Sequence, residues 1–313
     1  MDGVVDRKYP PRGTAPPEHF FGRVLKPAQM LEHARYTVPM PVAKELRPWV
    51  RRYWSVNWDL PDGERYQTAT VSEPGINLTV EYGDIHRANT TGPGTWLTGP
   101  VTNRRFDVGL YGHGGVVGVN FHLGATMAFA NDAPAAIRDT TVPADAWFPG
   151  IDEKLGMNRR PVAGESLVTD GAPTDVTSAD VTSVAEALEA WLISLHPRMT
   201  EGYARFRQVL DLLDDPSLIS LGELSSRCAL SERSLQRMFQ EYCGVGVKRI
   251  LIRARIRDAV AAIDHGWDRQ LSELAARFGW FDQSHFTADF RAATGYTPTE
   301  YLNAYERHTQ PPA

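Results

Sequence analysis

Hydrophobic positions change their rhythm along this chain. From about residue 38 to about residue 125 they alternate or cluster in short runs. "WVRRYWSVNW" is rich in aromatic and β-branched residues, "GINLTVEYGDIH" alternates, and "GGVVGVNFHLG" is a brief apolar run bounded by glycines. Turn signals such as Pro61-Asp62-Gly63 and Tyr82-Gly83-Asp84 separate the runs. Short strands at such spacing predict a sandwich or barrel. Beyond Ala125 the pattern loosens into short helices. The stretch Arg159–Ser183 is rich in Gly, Pro, Ser, Thr and Asp, which predicts a linker or long surface loop. Val184, Leu188, Trp191, Leu192 and Leu195 then fall at i, i+4, i+7, i+8 and i+11, an amphipathic helix stopped by Pro197. It packs either on its own β domain or on a second copy of the chain.

The C-terminal third says nearly the same thing twice. "LGELSSRCALSERSLQRMFQEYCGVGVKRIL" and "LSELAARFGWFDQSHFTADFRAATGYTPTEYL" each open with Leu-x-Glu-Leu, break, and resume as a second helical pattern. In the first copy Ser231 is an N-cap, its side chain accepting from a backbone N–H that the helix leaves unpaired. Leu235, Met238, Phe239 and Tyr242 then form the inward set, so Arg233, Gln236, Arg237 and Gln240 must face outward. A short helix, a tight turn and a second helix bearing Arg and Gln is a helix-turn-helix. Those side chains pair bidentately with guanine and adenine edges in the major groove. In the second copy Asp282 is the N-cap, and Phe286, Phe290 and Ala293 face inward. The outward set is Ser284, Thr287, Ala288 and Arg291, each 51 residues after its counterpart. A helix of about 17 residues, about 25 Å long, joins the units and suits grooves one turn of DNA apart.

Charge sharpens this picture locally. The formal net charge of −5 does not advertise a nucleic-acid binder, but "KRILIRARIR" holds five cations and no acid. Arg253 and Arg257 share a face of the connecting helix and are expected to reach phosphates, as are Ser231 and His285.

"LSERSLQRMFQEYCGVGVKRIL" and "FGWFDQSHFTADFRAATGYTPTEYL" closely resemble the AraC/XylS family of bacterial transcription regulators. The signature Asp-Gln-Ser-His-Phe, followed by Phe-Arg and Gly-x-Thr-Pro-x-x-Tyr, carries the likeness, which spans about residues 198–305. The resemblance implies DNA binding by both units, with Arg233, Gln236 and Arg237 reading bases and Gln240 beside them. Ser284, Thr287 and Arg291 are the second unit's candidates. Here the chain departs from the family: Ala288 stands where many members carry Arg, with Asp289 beside it. The alternative is that the second unit mainly holds phosphates through Ser284, His285 and Thr287. The region before it looks like the cupin-like sensory domains of such regulators, on "ELRPWV..YW" and "GVNFHLGA".

The chain therefore reads as an α+β multidomain protein. A Pro-rich, poorly ordered segment covers 1–23, a cupin-like β-barrel 24–160, a linker and amphipathic helix 161–197, and an all-α double helix-turn-helix domain 198–306. Trp54, Trp58, Tyr82 and Phe121 are candidate walls of a small-molecule pocket, which would be largely apolar and aromatic. His86, His113 and His122 do not have metal-site spacing, and "GHGGVVGVNFHLG" lacks the Gly-Lys-Ser/Thr of a phosphate loop. No catalytic constellation, metal or cofactor is expected. Cys228 and Cys243, the two cysteines, suit a reducing, cytoplasmic setting, and no apolar run is long enough to cross a membrane. The expected function is a transcription regulator that binds promoter DNA and is controlled by an unidentified effector. RNA polymerase and a second copy of the chain are further candidate partners. The competing readings are a metal-dependent cupin enzyme with accessory helices, and an architectural DNA binder without a ligand.

Overall fold

A computed structural model describes residues 16–71, 74–102, 104–130, 133–155, 178–213, 215, 218 and 220–309. Seven strands form one antiparallel sheet: β1 (Arg35–Thr37), β2 (Val50–Asp59), β3 (Arg65–Thr70), β4 (Asn77–Arg87), β5 (Gly94–Thr98), β6 (Phe106–Phe121) and β7 (Thr141–Pro143). The order is β1-β2-β6-β4-β5-β7, with β3 also paired to β6. The long β6 organises the sheet. Its first half pairs with β3, its second half with β2, and β4 runs along its other side. The glycines that interrupt β6 make room for aromatic rings: a side chain at Gly114 would strike Trp58, and one at Gly118 would strike Trp54. The expected β region is present. Closure into a barrel is not: among the described residues the sheet path ends at β1 and β7 without joining them.

Alternation sets the two faces of the sheet, because successive side chains point to opposite sides. Tyr53, Leu78, Val80, Val117, Val119 and Phe121 belong to one core, which also contains Leu188 and Trp191 from the following helix. Trp54, Val56, Trp58, Leu110 and Val116 point the other way, towards a cavity closed at one end by Phe20 and by Met30 of helix α1 (Pro27–His33). Residues 1–15 lie outside the described residues. The expectation of a loose segment through Arg23 is corrected for its remainder: Phe20 is buried and a short helical turn spans Glu18–Phe20.

After α2 (Ile151–Lys154), most of the expected linker falls outside the described residues. The amphipathic helix is α3 (Ser178–Ser194). Val181, Ala185, Leu188, Trp191 and Leu192 are buried against the sheet, so the helix packs within the chain; Leu195 is exposed. Seven helices follow: α4 (Glu201–Leu213), α5 (Leu221–Cys228), α6 (Glu232–Cys243), α7 (Val247–Asp264), α8 (Leu271–Arg277), α9 (Gln283–Thr294) and α10 (Pro298–Thr309). The first core continues through Phe206 of α4 into Leu224, Leu235 and Phe239. A second core gathers Ile256, Leu274, Phe286, Phe290 and Tyr301 with Leu25, Ala69 and Val71 from the β domain. Both helix-turn-helix units thus share apolar cores with the sheet domain.

Candidate nucleic-acid interface

The first unit is α5 and α6. Ser220 starts α5 by accepting from the Glu223 amide, and α5 ends at Ala229, held at φ 50°. Ser231 starts α6 by accepting from the Ser234 amide at 3.1 Å, and it meets the Ser234 hydroxyl at 2.8 Å. Its side chain is therefore engaged in capping as well as exposed to solvent. Leu235 and Phe239 are fully buried, and Tyr242 stacks on Phe206. With that face fixed inward, Arg233, Gln236, Arg237 and Gln240 all stand exposed. Among the described residues none of the four has a side-chain hydrogen bond or ion pair. The helix presents four long donors over about two turns with their hydrogen-bonding capacity unspent.

In the second unit, α8 and α9, the recognition helix α9 repeats the frame of α6 51 residues later with different surface chemistry. Asp282 accepts from the His285 amide at 2.9 Å, which holds its carboxyl below the usual range, and it pairs with the His285 ring at 2.9 Å. Phe286 and Phe290 are fully buried. Ser284, His285, Ala288 and Arg291 are exposed, whereas Thr287 is half-buried and sits at the margin of the face. Asp289 does not add an outward charge as the sequence suggests. It accepts from the Trp280 indole N–H at 2.9 Å, and Arg255 lies over that indole at 4.8 Å. That cluster holds the turn between α8 and α9.

Comparison with known proteins bears on this frame. A family described as a helix-turn-helix domain matches residues 224–304, from the middle of α5 into α10. A domain of unknown function matches residues 40–143. The HTH-type transcriptional activator RhaR of Yersinia pseudotuberculosis is 28% identical over 163 residues, 49% of this chain and 55% of that protein. RhaS of Klebsiella pneumoniae, also an HTH-type transcriptional activator, is 30% identical over 109 residues, 34% of this chain and 39% of that one. The helix-turn-helix match and these activator relatives agree with the AraC/XylS resemblance of the C-terminal third. The chain spans about half the length of the RhaR relatives it matches. Solved structures overlap loosely. ToxT from Vibrio cholerae is 10% identical with a TM-score of 0.39, covering 80% of this chain and 98% of that one. The DNA-binding domain of AdpA in complex with a target DNA is 22% identical with a TM-score of 0.30, covering 36% and 97%. These overlaps are too loose to bear on how the domains are arranged.

The connecting helix α7 corrects the expectation for the basic run. Arg253 is 2% exposed and faces the β domain, where it donates to the carbonyls of Thr102 at 3.5 Å and Arg104 at 3.3 Å. Burial, with Arg257 nearby, pulls its guanidinium down to about 10. Arg257 is half-buried and lines a cavity between the domains with Arg51 and Arg207. Arg253 is therefore a tether to the sheet domain and is turned away from solvent, with Arg257 beside it on the same face. The exposed cations of the run are Lys248 and Arg249, at the start of α7.

Two further arginines, which the sequence pattern does not single out, tie the sheet domain to the recognition helices. Arg138 donates to the carbonyl of Gly244, the C-cap of α6, at 3.2 Å. Arg105 donates to the carbonyl of Thr294, at the end of α9, at 3.1 Å. Helix C-termini expose carbonyls and a partial negative charge, so cations there are favourable. Gly244 has φ 65°, and a side chain there would meet Ala135 at 2.5 Å. The sheet domain thus grips equivalent ends of both recognition helices.

The cavity on the open face of the sheet has a volume of about 210 Å³. Trp54 and Trp58 line it, but Tyr82 and Phe121 do not. They fall on the opposite parity of their strands: Phe121 packs on Phe129, and Tyr82 donates to Asn57. Its polar wall is a buried ion pair, Arg87 with Glu81, held also by Thr79, Thr98 and Thr141. Cavity-lining Phe106 adjoins the Arg105 tether, and Asp139, which accepts from Thr102, adjoins Arg138. Among the described residues no three His, Cys, Asp or Glu side chains gather as metal ligands, and no helix is long and apolar enough to cross a membrane.

Proposed function

We propose that the chain is a one-component transcription regulator that binds promoter DNA through α6 and α9. The observation that carries this reading is the exposed stripe Arg233, Gln236, Arg237 and Gln240 on a helix whose opposite face is fully buried. Arg and Gln at that spacing match guanine and adenine edges. The name of the RhaR and RhaS relatives, transcriptional activators, supports the same reading. Selection of duplex DNA from a random pool by the full chain tests it. Enriched sequences should carry two half-sites about one helical turn apart, and footprinting should protect both. Enrichment without any consensus would instead favour an architectural binder.

A small molecule in the cavity beside Trp54 and Trp58 would act by differential binding. Only a ligand that prefers one hold of Arg105 and Arg138 on the recognition helices can shift DNA affinity. RNA polymerase and a second copy remain partners of this proposal; most of the apolar face of α3 packs within the chain, with Ile193 exposed near its end.

A further inference from the structure

The second recognition unit lacks long donors at the middle of its outer face, yet it carries a side chain unlike any other among the described residues. Phe281 is 100% exposed, whereas the next most exposed large hydrophobic among the described residues, Val38, is 51% exposed. Phe281 directly precedes Asp282, the N-cap of α9. Its counterpart 51 residues earlier, Leu230, is half-buried against the first core. The turn here instead directs Trp280 inward, fixed by Asp289 and Phe286, and leaves Phe281 outside. Beside it on the face of α9 stand Ser284 and Ala288, both short and exposed.

A fully solvated phenylalanine at a recognition turn calls for an apolar partner. In helix-turn-helix proteins the N-terminal residues of the recognition helix approach the base edges. The only apolar group displayed in the major groove is the C5-methyl of thymine, and Phe and Ala side chains are suited to it. Short side chains at 284 and 288 let the helix approach closely enough for such contact. We propose that the second unit reads thymine methyl groups through Phe281, supported by Ala288, in place of hydrogen-bonded reading by an arginine. This rests on the DNA-binding reading above. It replaces the expectation that the Ala288 departure leaves the second unit holding phosphates alone.

The test replaces single thymines of a selected binding site by deoxyuridine, which removes the methyl group and keeps the base pair. For the wild-type full chain, one or two replacements in the second half-site should weaken binding by about fourfold each, the value of one buried methyl-sized group. Phe281→Ala should bind the unmodified site more weakly and lose the deoxyuridine effect at those positions, while Phe281→Leu keeps part of it. Both variants should fold, since the side chain touches nothing, and equal melting temperatures check this. Undiminished deoxyuridine sensitivity in Phe281→Ala overturns the proposal. So does a second half-site without thymine, or the absence of any deoxyuridine effect there in a protein that binds its site specifically. If Phe281→Ala binds normally but fails to activate transcription at saturated sites, the residue meets polymerase and the proposal is likewise wrong. Failure to bind any sequence specifically would instead overturn the regulator reading itself.

Discussion

Asp264 gives the interface between the domains a defined pH dependence. It closes α7, is 1% exposed, and accepts from the Tyr301 hydroxyl at 2.8 Å and the Gly22 amide at 3.4 Å. The Lys26 amide in turn donates to Tyr301 at 3.0 Å, so this carboxyl anchors the N-terminal arm to α10. Burial outweighs these hydrogen bonds and raises its pKa to about 7 from 3.8. The folded state therefore holds a proton that the unfolded state releases. Stability is full below about pH 4 for this group and is lost as pH rises towards 7. The whole shift corresponds to about 4 kcal/mol, of which about 2 kcal/mol falls between about pH 5.5 and pH 8. Asp264→Asn removes the titration. His19 acts in the opposite sense: burial, then Arg52 and Arg23, lower it to about 4, so its contribution is lost as pH falls below its usual value. That background is common to both proteins and cancels in their difference. Urea unfolding of wild type and Asp264→Asn across this range should show the variant gaining about 2 kcal/mol relative to wild type from the acid to the alkaline end. A difference that stays constant with pH would refute a buried, proton-holding Asp264.

Other substitutions separate tethers from DNA contacts. Arg253→Ala should destabilise the folded chain by about 2–4 kcal/mol, since it leaves carbonyls at Thr102 and Arg104 without their donor, and thermal unfolding reads it. The same variant should leave the salt dependence of DNA binding unchanged, while Arg249→Ala should reduce the slope of log K against log salt by about one. Phe239→Ala, at a fully buried position, should cost about 3–5 kcal/mol. Replacing Arg105 and Arg138 together should free the recognition helices from the sheet domain, and DNA affinity measured with and without the sheet domain's grip should then differ.

The helical third is legible because its two periodicities reinforce each other. Leu235 and Phe239 specify the inward face of α6, and that alone fixes Arg233, Gln236 and Arg237 outward. The same logic places Phe286 and Phe290, and the caps Ser231 and Asp282 follow from side-chain chemistry. Where reasoning from one helix fails is where a second domain decides. Arg253 and Arg257 share a helical face, but sequence cannot say that this face meets Thr102 and Arg104. In the sheet, aromatic richness marks β2 correctly, yet Tyr82 and Phe121 fall on the wrong side because parity relative to Trp54 depends on register across β6. Three glycines of β6 do have a signal: Gly114, Gly115 and Gly118 sit against Trp58, Tyr82 and Trp54, which need their space. Phe281 carries one too, as an aromatic residue on a turn whose neighbour Trp280 already fills the inward position.

The central claim is that α6 reads base edges. Arg237→Ala, titrated beside wild type against the selected site and a scrambled duplex at one salt concentration, tests it most directly. The variant should lose about 1–3 kcal/mol on the selected site and little on the scrambled one, so that the ratio between them collapses. Equal losses on both duplexes would show that Arg237 only meets phosphates and would contradict the account.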